Sequence, residues 1–155
     1  MTIYIVRHAK AGKRSEWHDD DKLRPLSEKG WRQAEEIAKK LSSLPISILI
    51  SSPATRCIQT LEPLAKRLKL QVQVDKRLRE FGDIKNMLEF AEEVEDSAVL
   101  SSHGDMIPEL IKTLEHRGMK INSHPDWRKG SVWVVERTTN GFESALAWPP
   151  PQFED

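Results

Sequence analysis

Apolar positions recur along this chain in two rhythms. Short runs rich in β-branched residues occupy positions 2–6, 46–50, 71–75, 98–102, 131–136 and 142–148. Runs of this length and composition predict strands. The run at 71–75 alternates, with Val72 and Val74 two apart, as an edge strand does. Asn140-Gly141 between the last two runs predicts a hairpin turn. Longer segments carry the helical rhythm. Ser27 is placed as an N-cap, and Trp31, Ala34, Ile37, Ala38 and Leu41 then follow at three- and four-residue spacing. Ser52-Pro53 predicts a second helix start, because proline suits the first helical position. Ile58, Leu61, Ala65 and Leu68 would form its apolar face, with a kink at Pro63. A short helix is predicted at about 85–94, and another from near Asp105 through Ile107, Leu110, Ile111 and Leu114 to a stop at Gly118.

Strands alternating with helices predict an α/β fold. The expected form is a three-layer α/β/α sandwich with a mostly parallel central sheet. At 155 residues the chain fits one domain. Its expected extent is 1–148, followed by an extended tail at 149–155 in which three consecutive prolines preclude helix or strand. Asp19-Asp20-Asp21 reads as a solvated turn.

Charge and cysteine content narrow the function. Lys plus Arg and Asp plus Glu number 24 each, so bulk charge does not drive the protein onto nucleic acid or an anionic membrane. A local basic pocket remains compatible with that balance. Cys57 is the single cysteine, which rules out an internal disulfide and a thiol-rich zinc site. Packing on its helix is the expected role of that thiol. The apolar run at the N-terminus is too short for a signal peptide, and no stretch approaches the ~20 apolar residues of a membrane span. A soluble, cytoplasmic protein without a cofactor or metal is expected.

Ligands of open parallel sheets bind at the carboxyl ends of the strands. The first strand ends in Arg7-His8, the second in Ser51-Ser52-Pro53 with Arg56 just beyond, and the fourth in Ser102-His103-Gly104. Two arginines and two histidines at one sheet edge suit a phosphate dianion, which arginine grips with paired donors. A neutral His8 would be a nucleophile toward phosphorus, kept unprotonated by the surrounding cations. A charged His103 would stabilise the transferring phosphoryl group. The competing readings are two packed core histidines and surface-paired arginines.

These blocks resemble those of the histidine phosphatase superfamily, also called phosphoglycerate-mutase-like. Val6-Arg7-His8-Ala9 is similar to its Arg-His-Gly signature, and Arg24-Pro25-Leu26-Ser27-Glu28-Lys29-Gly30 with Gln33-Ala34 to its second block. Ser51-Ser52-Pro53-Ala54-Thr55-Arg56-Cys57-Ile58-Gln59-Thr60 and Ser102-His103-Gly104 resemble the third and fourth. The resemblance implies that His8 is phosphorylated and that Arg7, Arg56 and His103 bind phosphate. It also implies that Glu80, in Leu78-Arg79-Glu80-Phe81-Gly82, is the proton donor. An ion pair with neighbouring Lys76, Arg77 or Arg79 is the alternative for Glu80. Segments 57–65 and 127–134 further resemble the compact phosphatase domain fused to some actinobacterial Nudix (MutT-like) hydrolases, which is related to SixA-type phosphohistidine phosphatases. No Nudix box is present, so a stand-alone form is expected.

Two departures bear on substrate. Ala9 replaces the signature glycine, and the segment 76–97 is short where mutase-type relatives carry a larger helical lid. An open site suits a bulky substrate and argues against mutase chemistry, which must exclude water. The implied partner is a phosphorylated small molecule, such as a nucleotide, or a phosphohistidine-bearing protein. A non-catalytic phosphate-binding module is the reading from another class. Lys10, Lys13 and Arg14 would grip a second phosphate, meet an acidic protein surface, or simply line a solvated loop. Lys129 and Ser131 would face the pocket or open a strand. The five tryptophans, Trp17, Trp31, Trp127, Trp133 and Trp148, read as core or rim aromatics. The oligomeric state is not encoded in any of these patterns.

Overall fold

The computed structural model of the protein describes residues 1–153. The strands are β1 (Thr2–Arg7), β2 (Ile48–Ser51), β3 (Val72–Val74), β4 (Ala98–Ser102), β5 (Lys120–Ile121), β6 (Val132–Thr138) and β7 (Gly141–Trp148). The longer helices are α1 (Glu28–Leu41), α2 (Thr55–Leu68), α3 (Ile84–Glu93) and α4 (Met106–His116). All seven strands join one sheet in the order β3-β2-β4-β1-β6-β7-β5. Only β6 runs against the rest, because the turn at Asn140-Gly141 folds β6 and β7 into a hairpin. The expected α/β sandwich with a mostly parallel sheet is therefore what forms.

Strand periodicity divides the core into two layers. Ile3 and Ile5 of β1 point to the face covered by α3 and α4, where Met87, Phe90, Leu110 and Ile111 are buried with them. Tyr4 and Val6 point to the other face and pack with Ile37 and Leu41 of α1 and Leu61 and Leu64 of α2. Each such aliphatic side chain contributes about 1.5–3 kcal/mol by leaving water. Two-sided burial fixes the register of the central strands, since a one-residue slip would swap the two sets. Beyond Leu78, segment 76–97 holds only α3, and no helical lid stands over the strand ends among the described residues.

Several expectations need correction. The second helix begins at Thr55 with Ala54 as its cap, not at Ser52-Pro53. Ser52 is diverted because its hydroxyl accepts from the Ala54 amide at 3.3 Å and lies 2.7 Å from His103 Nε2. That helix runs unbroken through Pro63, with the proline buried in it. The second strand starts at Ile48 rather than Ile46, and the sixth at Val132 rather than Ser131. β5 was not expected; two residues pairing in parallel with β7 are too short to leave a pattern. The tail lies against α1, with Pro150 buried and the Phe153 ring 4.2 Å beneath the Arg32 guanidinium. Glu154 and Asp155, part of the expected tail, lie outside the described residues. No helix among the described residues is long and apolar enough to cross a membrane.

Candidate active site

Sheet register brings the strand-end residues together. Arg7 pairs with Ser102 across β1 and β4, so His8 and His103 emerge side by side. The His8 amide donates to the Ser102 carbonyl at 3.1 Å, and the two imidazoles stand 5.6 Å apart edge to face. Ser51 pairs with Ser101, which places Ser52 beside the same point and sets Arg56 over it from the first turn of α2. Arg7, His8, Arg56, Glu80 and His103 all meet here.

The state of His8 follows from its surroundings. Its ring is buried, and Nδ1 lies 2.8 Å from the Ala9 carbonyl. A carbonyl can only accept, so Nδ1 carries the proton and Nε2 keeps its lone pair. Burial lowers the His8 pKa to about 3; His103, Arg56 and Arg7 push the same way, and the Ala9 carbonyl opposes them. The expected effect of the cations is thus real but secondary to desolvation.

His103 differs from expectation. Burial first, then Arg56, lowers its pKa to about 4, so at neutral pH it is uncharged. The Ser52 hydroxyl, which already accepts from Ala54, turns its proton to Nε2. Nδ1 of His103 then faces Glu80 at 3.4 Å.

The two arginines are held differently. One terminal nitrogen of Arg7 donates to the Trp127 carbonyl at 2.5 Å, while its Nε has no protein partner. Gly104 lies flat against this guanidinium, which a Cβ at that position would overlap. Arg56 is 2% exposed. It donates to the Asp21 carbonyl at 2.9 Å and to Glu80 at 2.5 Å, with the Asp21 carboxylate at 3.4 Å and Nε unpartnered. Buried donors without partners are costly, so both arginines retain capacity for an oxyanion.

Glu80 does form ion pairs, but not with its sequence neighbours. It meets Arg56, and Arg14 at 3.8 Å, whereas Arg77 turns away to Asp75 and Glu93. Ser102 fixes the approach by donating its hydroxyl to the Leu78 carbonyl at 2.7 Å.

The remaining motif residues hold the loop that follows His8. Thr60 accepts from the Ala9 amide at 2.9 Å and donates to the Arg56 carbonyl at 2.7 Å, tying the loop after His8 to α2. Gln33 accepts from the Lys10 amide and Gln59 from the Leu26 amide. Ser27 caps α1 through the Gly30 amide, as expected, and also donates to the Lys10 carbonyl. Gly30 must be glycine, because a Cβ would run into that same carbonyl. The Gly130 amide donates to the carbonyls of Arg7 and His8.

Sequence reading missed Asp21. Asp19 and Asp20 are solvated as expected, but the partly exposed Asp21 pairs with Arg24 at 2.9 Å and with Arg14 and Arg56 at 3.4 Å. The hydrogen bond from Arg24, then the charge of Arg56, holds its carboxyl below the usual range despite partial burial. Arg24 itself is buried and donates to the Gly12 carbonyl at 2.6 Å, closing the loop. The only signal in the sequence was the three-residue spacing of Asp21 and Arg24. Arg14 belongs to this rim, Lys13 is exposed, and Lys10 joins Arg7, Lys29 and Lys129 around a separate cavity of about 360 Å³. Ser131 is buried, and its carbonyl accepts from the Arg7 amide. Cys57 packs against His103, and burial pushes its thiol up to about 12. Beyond Arg56 and His103 opens a cavity of about 410 Å³, also lined by Ser52, Glu80, Phe81 and Asp21. Among the described residues no group of three or more His, Cys, Asp and Glu is placed to hold a metal ion.

Comparison with known proteins gives the family and the fold. Residues 3–98 match the family model of the histidine phosphatase superfamily (branch 1). An 8-oxo-(d)GTP phosphatase of Mycolicibacterium smegmatis (strain ATCC 700084 / mc(2)155) is 32% identical over 97% of this chain and 48% of its own length. The chain therefore spans about half of that relative. A structure of the protein histidine phosphatase SixA complexed with tungstate superposes with a TM-score of 0.75 at 23% identity, covering 95% of this chain and 97% of that one. A putative phosphohistidine phosphatase SixA from Nakamurella multipartitia gives 0.69 at 26% identity, covering 97% and 95%.

Proposed function

The chain belongs to the histidine phosphatase superfamily, and from that premise we infer that it is a metal-independent phosphatase working through a phosphohistidine on His8. One observation carries this reading: burial keeps His8 neutral, and the Ala9 carbonyl fixes the proton on Nδ1, which leaves the Nε2 lone pair free among Arg7, Arg56 and His103. A neutral imidazole attacks phosphorus; a protonated one does not.

In the first step Nε2 bonds to phosphorus as the bond to the leaving oxygen breaks. The arriving dianion competes with Glu80 for Arg56, whose terminal nitrogen serves either. Glu80, in its protonated form, delivers its proton to the leaving oxygen. Arg7 and Arg56 hold the equatorial oxygens, and His103 completes the phosphate site. In the second step water attacks phosphorus, the N–P bond breaks, and Glu80 receives the water's proton.

The substrate is a phosphomonoester or a phosphoramidate. Glu80, placed to supply a proton, favours an ester such as a nucleotide, consistent with the name of the Mycolicibacterium relative. The lidless strand ends admit a phosphohistidine on a protein, consistent with the names of the SixA structures. Hydrolysis of an aryl phosphate by wild type and His8→Ala, with and without a chelator, tests the mechanism. Chelator-resistant activity that is lost in the variant is expected. Turnover by the variant would overturn the mechanism. Phosphate or vanadate binding with no turnover of any phosphate ester or phosphohistidine would make the chain a binding module instead.

A further inference from the structure

Phe81 is placed against two physical preferences at once. The residue is 81% exposed, and its φ is +56°. Bulky L residues avoid the left-handed region, and apolar rings avoid water. The other exposed large hydrophobics among the described residues, Met1, Leu23, Val74 and Leu146, are aliphatic, and none has a positive φ. Packing does not explain the ring, which is mostly in solvent. Local turn geometry does not require it either, since glycine would take this backbone without strain.

The strained turn is nevertheless pinned. The Asp105 carboxylate accepts from the Phe81 amide at 2.8 Å, and Ser102 holds the Leu78 carbonyl three residues earlier. Both anchors come from the β4–α4 segment that carries His103. The ring is therefore held in register with the phosphate site, directly after Glu80. It lines the 410 Å³ cavity that reaches Arg56 and His103. It also lines a neighbouring cleft of about 250 Å³, shared with Trp17, Arg14 and Glu80. Strain maintained by dedicated contacts beside a reaction centre points to use in binding.

We propose that Phe81 is a specificity-determining residue that stacks on a planar aromatic group of the substrate, such as the base of a nucleoside phosphate. The inference rests on the phosphatase reading above and narrows its substrate class. A planar π-system is the complement of an exposed ring face that offers no hydrogen bond, and stacking tolerates any base because each has a flat face. Trp17 bounds the same cleft, so aromatic surface continues outward from Glu80.

A matched pair of ligands isolates the ring's contribution. A purine nucleoside 5′-monophosphate and ribose 5-phosphate share the phosphate and the sugar and differ in the base. Calorimetric affinity for each is measured in the His8→Ala protein, with and without Phe81→Gly, so that the readout does not depend on turnover. With Phe81 present, the nucleotide binds about 10-fold more tightly than the sugar phosphate. With glycine the preference disappears, while sugar phosphate affinity is unchanged. Phe81→Trp retains it. Phe81→Gly alone also raises Tm, because glycine relieves the left-handed backbone and little apolar burial is lost. Equal affinities for the two ligands with Phe81 present would overturn the proposal. So would a parallel loss of both affinities with a lowered Tm, which would mark a purely structural role. The phosphatase reading fails separately, through wild-type turnover against His8→Ala.

Discussion

Arg7, His8, Ser52 and His103 stand at the ends of parallel strands, and their positions follow from the register of the sheet. Arg14 and Asp21 stand on single 3-10 turns and Glu80 and Phe81 on a loop, and their positions follow from contacts with residues far along the chain. The two regions are held by different forces. The floor is largely buried, and its loop is tied by amides that donate to Thr60 and Gln33 and by carbonyls that accept from Gly130. The rim is held by ion pairs whose partners are partly exposed, such as Arg14 with Asp21 and Glu80. Exposed pairs contribute only about 0–1 kcal/mol each. The floor is thus fixed before substrate arrives, while the rim can exchange its carboxylates for a phosphate without a large loss. Arg56 joins them, because it is buried in the floor and its ionic partners, Asp21 and Glu80, belong to the rim.

Four experiments probe this division, in falling order of effect. Glu80→Gln removes the proposed proton donor from the rim and lowers kcat on an alkyl phosphate by about 10²-fold or more. The same variant loses much less on a phosphohistidine, whose imidazole leaves more easily. Equal losses on both would separate Glu80 from leaving-group protonation. Gly104→Ala disturbs the floor through the Arg7 guanidinium and lowers kcat/KM by about 10-fold. Little change in kcat/KM would show that Arg7 can move aside without cost.

Acid comes next. His8 and His103 fall from the ordinary 6.5 to about 3 and about 4 in the folded protein. Between those values and 6.5 the unfolded chain binds more protons than the native one. Stability is therefore complete above 6.5 and lost as pH falls toward the folded values. Urea unfolding at pH 7 and pH 5 checks this; a loss of about 1–2 kcal/mol per histidine is expected. His8→Gln should lessen the loss, and an unchanged pH dependence in that variant would contradict the assignment to His8. Asp21→Asn has the smallest effect. It removes a carboxylate that competes for Arg56, so inhibition by inorganic phosphate tightens about 2- to 5-fold. Weaker inhibition would mean that Asp21 instead preorganises Arg56 for phosphate.

The same division explains what could be read from the sequence. Strand ends and helix caps are local, so Arg7-His8, Ser102-His103 and the Ser27 cap were legible. Ser52-Pro53 misled because the cap rule is local too, whereas the Ser52 hydroxyl is committed to His103, 51 residues away. Lys76, Arg77 and Arg79 are the cations nearest Glu80 in sequence, but its partners Arg56 and Arg14 arrive only through folding. Asp21 was hidden for the same reason. The neutral state of His103 was missed because burial depth, not neighbouring residue type, sets it. Composition and periodicity report the sheet well and its loop contacts poorly, and this site needs both.

The most direct test of the account is to trap the phosphoenzyme. Wild type mixed with a radiolabelled aryl phosphate and quenched in alkali within one turnover should carry label at His8. That label should survive alkali and be released by acid, as an N–P bond requires, and be absent from His8→Ala. A wild-type enzyme that turns over with no trapped label, or with label on another residue, would contradict the assignment of His8 as nucleophile.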